Sequence, residues 1–183
     1  MLKPFALHGV KKGQEMNDSE AWILKFSDCE SICDLDEIRN FSIIWNYFES
    51  TSFDKNFKTK NIQAFCSKTA RYSFSDQETT CIRDVYALFS SRYEFEKGNY
   101  DELRHDIGLK GKDLTHFKDL VATYNKDKKD KIEEAIKILI YIAFRFRNNF
   151  FHGEKEIKNI KSFEPIFKGL NSLLIILNEK YVT

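Results

Sequence analysis

Leu35, Ile38, Phe41, Trp45 and Phe48 recur every three or four positions, the period of one helical face, so a helix is expected over about residues 36–50. A second stripe, Ile82, Val85, Leu88 and Phe89, follows Ser75, with Glu78 three residues after that serine. A serine and a glutamate at this interval cap a helix start reciprocally, and Gly98 supplies the stop. Residues 100–124 read as two short helices separated by Gly108 and Gly111, and residues 125–131 as a solvated loop. A further helix is expected over 131–153, and a last one over 163–181 with Pro165 in its first turn. Residues 1–30 lack a period. Pro4, Gly9, Gly13 and the polar stretch 13–20 predict an irregular arm or extended segment in which Trp22, Ile23 and Leu24 still pack. The expectation is one all-α helical domain, 31–183, preceded by that arm.

The helix from Lys131 has no plain polar face. At 100° per residue, Ile132, Ile136, Leu139, Ala143, Phe146 and Phe150 fall within about 80° of one another. Ile138, Tyr141 and Ile142 occupy the other side. A helix apolar nearly all round packs against several neighbours, so this one is expected at the centre of a bundle.

Composition agrees. Seven Gly and two Pro in 183 residues leave few forced breaks, which favours long helices. With 42% hydrophobic and 31% charged residues the chain can bury a core, which excludes collagen-like, low-complexity and wholly disordered classes. A formal charge of +1 excludes a global field that would coat a polyanion, so any nucleic-acid site is a local patch. The longest apolar runs, 138–144 and 173–177, are far short of the roughly 18 residues of a membrane span. No export signal is read at the N-terminus, and Cys29, Cys33, Cys66 and Cys81 form no Cys-x-x-Cys pair; a cytoplasmic protein with free thiols is expected.

The central helix ends in Arg145-Phe146-Arg147-Asn148-Asn149-Phe150-Phe151-His152-Gly153, where polar side chains gather as the chain leaves the core. Arg147 lies about 60° from the centre of the apolar seam, where its charge needs an anion or a polar cleft. Gly153 can close the helix in a left-handed conformation, which would put His152 at the last position, its ring free to swing back. Arg147-Asn148-x-x-x-His152 resembles the R-φ-x3-H motif, φ being a polar residue, of the HEPN superfamily, and the flanking Phe-Phe-His-Gly strengthens the likeness. With seven Arg and four His in the chain, such a pattern is expected by chance roughly 0.02 times. Outside the motif the resemblance is loose, resting on helix order and the aromatic-rich stretch Trp45-Asn46-Tyr47-Phe48-Glu49.

The resemblance implies a helical HEPN bundle and an endoribonuclease that needs neither metal nor cofactor. His152, an imidazole that titrates near neutrality, would exchange a proton with the ribose 2′-OH or the leaving 5′-oxygen. Arg147 would hold the phosphate through its fork of donors, and Asn148 would add a hydrogen bond or orient the histidine. One chain brings one motif histidine, and HEPN ribonucleases pair two motifs across a twofold axis, so a homodimer with a composite cleft is implied. The family also implies a role in toxin–antitoxin systems or antiviral defence, with a cognate antitoxin or defence partner. HEPN toxins silenced by a nucleotidyltransferase often carry a tyrosine two residues after the motif histidine; here that position is Glu154, which departs from the pattern. Some HEPN domains bind without cutting, and that is the alternative reading: Arg147 would pair with an acidic residue such as Glu49, and His152 would serve the helix dipole.

Residues 126–161 hold ten basic and six acidic residues against +1 for the whole chain, so Arg145, Lys155 and Lys158 are candidates for RNA backbone contacts. Other signals are weaker. His105-Asp106-Ile107-Gly108 resembles the doublet of HD-domain metal phosphohydrolases, but the only earlier histidine is His8 in the arm, so the ligand set looks incomplete. Cys29-x3-Cys33 has no second pair at zinc spacing, His116 reads as an ordinary helix residue, and the aromatic spacing fits core packing better than base stacking.

Overall fold

The computed structural model describes residues 17–53, 57–69, 72–98, 100–126, 131–151 and 157–182. Among these lie eight α-helices: α1 (Asp18–Phe26), α2 (Asp36–Ser52), α3 (Asn61–Thr69), α4 (Asp76–Arg92), α5 (Asp101–Ile107), α6 (Gly111–Lys126), α7 (Ile132–Phe151) and α8 (Glu164–Val182). Three 3₁₀ stretches accompany them, Ile32–Leu35, Phe95–Lys97 and Ile157–Phe163, and no described residue is in a strand. The fold is all-α.

Local chemistry sets the ends. Ser75 Oγ accepts from the Glu78 N–H at 3.2 Å and the Glu78 carboxylate accepts from the Ser75 N–H at 2.7 Å, which starts α4 where the capping box predicts. This helix stops at Arg92, six residues before Gly98. Glu94 takes a left-handed φ of 49° there, and Gly98, at φ 68°, closes the short 3₁₀ turn that follows. The expected irregular arm is corrected over its second half. Asn17 and Glu20 form the same kind of capping box and start α1, while residues 1–16 lie outside the described part. No residue of α1 is fully buried; Ile23 and Leu24 pack on the core and Trp22 faces solvent.

The core is built around α7, as its all-round apolarity predicts. Every residue from 135 to 143 is buried, and α3, α4, α5 and α6 all pack against this helix. Each large apolar side chain enclosed there contributes about 1.5–3 kcal/mol. Lys137 is 5% exposed within that run, and its ammonium stands 2.9 Å from both Glu133 and Glu134, which compensates its burial. On the far side α8 lies along α2, where the Asn171 amide donates to the Glu37 carbonyl and carboxylate at 2.8 Å each. An aromatic cluster joins α2 to α7: the Trp45 ring packs against Phe48, Phe57 and Phe144 at centroid distances of 5.7, 5.4 and 6.2 Å. The aromatic stripe of α2 is thus core, as its spacing suggests.

Candidate functional site

The last turns of α7 carry polar side chains in two sets with different tasks. Arg145 and Asn149, four residues apart and so on one helix face, both reach the C-terminus of α5. Arg145 Nε donates to the Ile107 carbonyl at 2.9 Å, and Nη2 donates to the Gly108 carbonyl. Asn149, 6% exposed, donates from Nδ2 to the Asp106 carbonyl at 3.1 Å. Three successive carbonyls at a helix end, a place of unsatisfied acceptors and partial negative charge, are thereby capped by one neighbouring helix. Gly108 makes the approach possible. Its φ is 63°, and a Cβ there would lie 3.2 Å from Arg145 Nη2. Tyr93 completes the junction by donating its hydroxyl to Asp106 Oδ2 at 2.8 Å; burial, with the adjacent Asp106 carboxylate, raises the tyrosine's pKa far above its ordinary value. The Nε and Nη2 donors of Arg145, a candidate for RNA contact, are therefore spent on this clamp.

Arg147 points the other way, toward α2. Its Nη1 donates to Asn148 Oδ1 at 3.0 Å, and Nη2 lies 3.7 Å from Glu49 Oε2. The Arg147 side chain is 33% exposed and that of Glu49 16%. Glu49 is itself fixed: Oε2 accepts from the Trp45 indole Nε1 at 3.0 Å, and Oε1 accepts from the Phe57 N–H at 3.2 Å. The acidic partner expected for Arg147 is the one found, and Asn148 Oδ1 accepts a hydrogen bond from the arginine. Arg147 stands at the edge of the core with its side chain one third exposed, and the planar fork of a guanidinium suits an anion such as a phosphate.

The helix is held firmly up to this point, since the Phe150 ring packs edge-on against Phe167 of α8 at 5.5 Å. His152 and Lys155 lie outside the described residues, as does the side chain of Lys158, whose backbone belongs to the 3₁₀ stretch Ile157–Phe163. The described half of the site is thus Arg147, Asn148 and Glu49. Asn149 and Glu49 both have sequence signals: one sits a helical turn after Arg145, and the other lies a turn beyond Trp45 on a face that meets α7.

Of the rival residues, Asp106 has a structural task. His105 is 89% exposed with its ring 3.6 Å from Asp106, while Asp106 serves Tyr93 and the clamp. Among the described residues no three His, Cys, Asp or Glu side chains gather as a metal site. Cys29 is buried and Cys33 exposed, and burial raises the Cys29 thiol pKa. His116 stands exposed on α6. Among the described residues no helix is long and apolar enough to cross a membrane.

No protein-family model matches this chain, and neither a curated protein nor a solved structure matches it. The likeness to HEPN proteins rests on the sequence motif Arg147-Asn148-x3-His152, of which Arg147 and Asn148 stand in the last turns of α7.

Proposed function

We propose that the chain is a HEPN-type endoribonuclease that cuts RNA without a metal ion, at a composite cleft formed by two copies. The observation that carries this reading is Arg147, one third exposed and already oriented by Asn148 and Glu49, with His152 five residues later in the sequence. RNA brings its own nucleophile. The 2′-OH attacks the adjacent phosphorus, His152 of one copy accepts its proton, and the histidine of the second copy protonates the departing 5′-oxygen. Arg147 neutralises the charge that grows on the nonbridging oxygens. The products are a 2′,3′-cyclic phosphate and a 5′-hydroxyl. Lys155 and Lys158 would contact the backbone, and the role would lie in toxin–antitoxin or antiviral defence beside a cognate partner.

Incubation of the purified protein with end-labelled RNA and excess EDTA tests this. Cyclic-phosphate ends that vanish in His152→Ala and Arg147→Ala, with a 2′-deoxy substrate left intact, are the expected result. Cleavage that persists in His152→Ala, or that requires added metal, refutes it.

One observation favours a second reading. The Arg147 to Glu49 pair joins α7 to α2, and in a HEPN-like module that binds a protein or RNA partner without cutting, that pair would have a purely structural task. Binding without cleavage in the same assay selects this reading.

A further inference from the structure

We propose that Glu49 is a positioning residue of the Arg147 site, a fixed carboxylate that holds the guanidinium in register for a phosphate; this rests on the functional reading above. Both Glu49 oxygens are already engaged, by the Trp45 indole at 3.0 Å and the Phe57 N–H at 3.2 Å. The indole cannot drift, because Trp45 is 1% exposed and packed against Phe48, Phe57 and Phe144. Phe144 stands three residues before Arg147 on α7, so the carboxylate and the guanidinium are referenced to one aromatic cluster.

The spacing between the two charges fits guidance rather than capture. At 3.7 Å, Nη2 and Oε2 are within electrostatic reach but beyond a normal hydrogen bond, and the pair is not a bidentate clasp. A long arginine side chain loses much rotamer freedom when it binds. A rigid counter-charge beside it, with Asn148 Oδ1 holding Nη1 at 3.0 Å, imposes most of that ordering before the ligand arrives. A carboxylate this close to a phosphate site also repels the ligand, so its presence weakens ground-state binding while favouring the aligned state. Removal is therefore expected to lower the rate of the bound complex and to leave affinity unchanged or improved.

Two measurements test the proposal and separate its failure from that of the nuclease reading. In single-turnover RNA cleavage, Glu49→Gln is expected to lower the saturating rate by about tenfold to a hundredfold, with half-saturation no higher than in the parent. Glu49→Asp, which keeps the charge, is expected to recover part of that loss. Glu49→Gln that is folded and cuts at the parental rate overturns the positioning role and leaves the nuclease standing.

The second measurement needs no variant at Glu49 and no cleavage. The Trp45 indole N–H reports on the Glu49 carboxylate, and Trp22 is the only other indole in the chain. Titration of the intact protein with a 2′-O-methyl oligouridine of about eight nucleotides, a length typical of single-strand sites, is followed by the Trp45 indole resonance. A saturable shift that Arg147→Ala abolishes supports the assignment, even where the protein cuts nothing. A resonance that stays fixed while the oligonucleotide binds overturns it, as does the absence of any oligonucleotide binding.

Discussion

Replacement of Arg145 by alanine removes the two guanidinium hydrogen bonds that cap α5 at the Ile107 and Gly108 carbonyls. Hydrogen bonds to charged groups contribute about 1.5–3 kcal/mol each, and at a half-buried position the lower end applies. The attraction between the cation and the helix C-terminus is part of the same contact and is not added. Alanine returns a few tenths of a kcal/mol of helix propensity. The expected loss is thus about 2.5–3 kcal/mol, or about 5–12 °C in melting temperature for a domain of this size. Urea unfolding followed by far-UV circular dichroism measures it directly. Arg145→Lys keeps the charge but lacks the planar fork, and should lose about half as much. The salt dependence of RNA affinity supplies the counter-test, because a lost phosphate contact lowers the slope of log affinity against log salt by about 1. A variant within about 0.5 kcal/mol of the parent that shows that reduced slope would refute the clamp and return Arg145 to the proposed RNA contacts.

Three further outcomes follow from the packing. Gly108→Ala places a Cβ on a left-handed residue and 3.2 Å from Arg145 Nη2, so it should cost about 1–2 kcal/mol in the same urea assay; a neutral result would show that the α5 end can reshape. Replacing Glu133 and Glu134 together by glutamine leaves the buried Lys137 ammonium without its counter-charges and should destabilise by about 3 kcal/mol, whereas Lys137→Met should be close to neutral. Burial works against ionisation of Glu78, yet the Ser75 N–H and the Lys180 ammonium at 2.9 Å outweigh it and hold the carboxyl below the usual range. Because the folded pKa is the lower one, this contribution is present above the unfolded value of about 4.3 and is lost as pH falls through the folded value; Glu78→Gln should flatten the acid limb of the stability profile there.

Features governed by neighbours in sequence were legible, and those governed by distant backbone were not. The Ser75 and Glu78 box fixes one helix start through contacts three residues apart, and the apolar circumference of α7 announces burial from 135 to 143. The box at Asn17 and Glu20 has the same form, but the Gly and Pro content before it masked the short α1. Helix α3 is only nine residues long, so its stripe of Ile62, Phe65 and Cys66 makes a brief signal, and its place comes from Phe65 packing against Phe48 and Phe53, a tertiary contact. At the site, the acidic partner of Arg147 could be named because Glu49 is a side chain on a predicted helix. The task of Arg145 could not, because it binds backbone carbonyls 37 and 38 positions away, which no sequence letter marks.

The central position of α7 also has a consequence for biosynthesis. Four helices that precede it in the chain pack against it, so their apolar faces find their common support only after about residue 151 has left the ribosome. At roughly 5–20 residues per second, the nascent amino-terminal two thirds remain incomplete for many seconds. Such an intermediate is a substrate for holding chaperones, and a chain released before Ile132 should accumulate as aggregate rather than as a smaller folded unit.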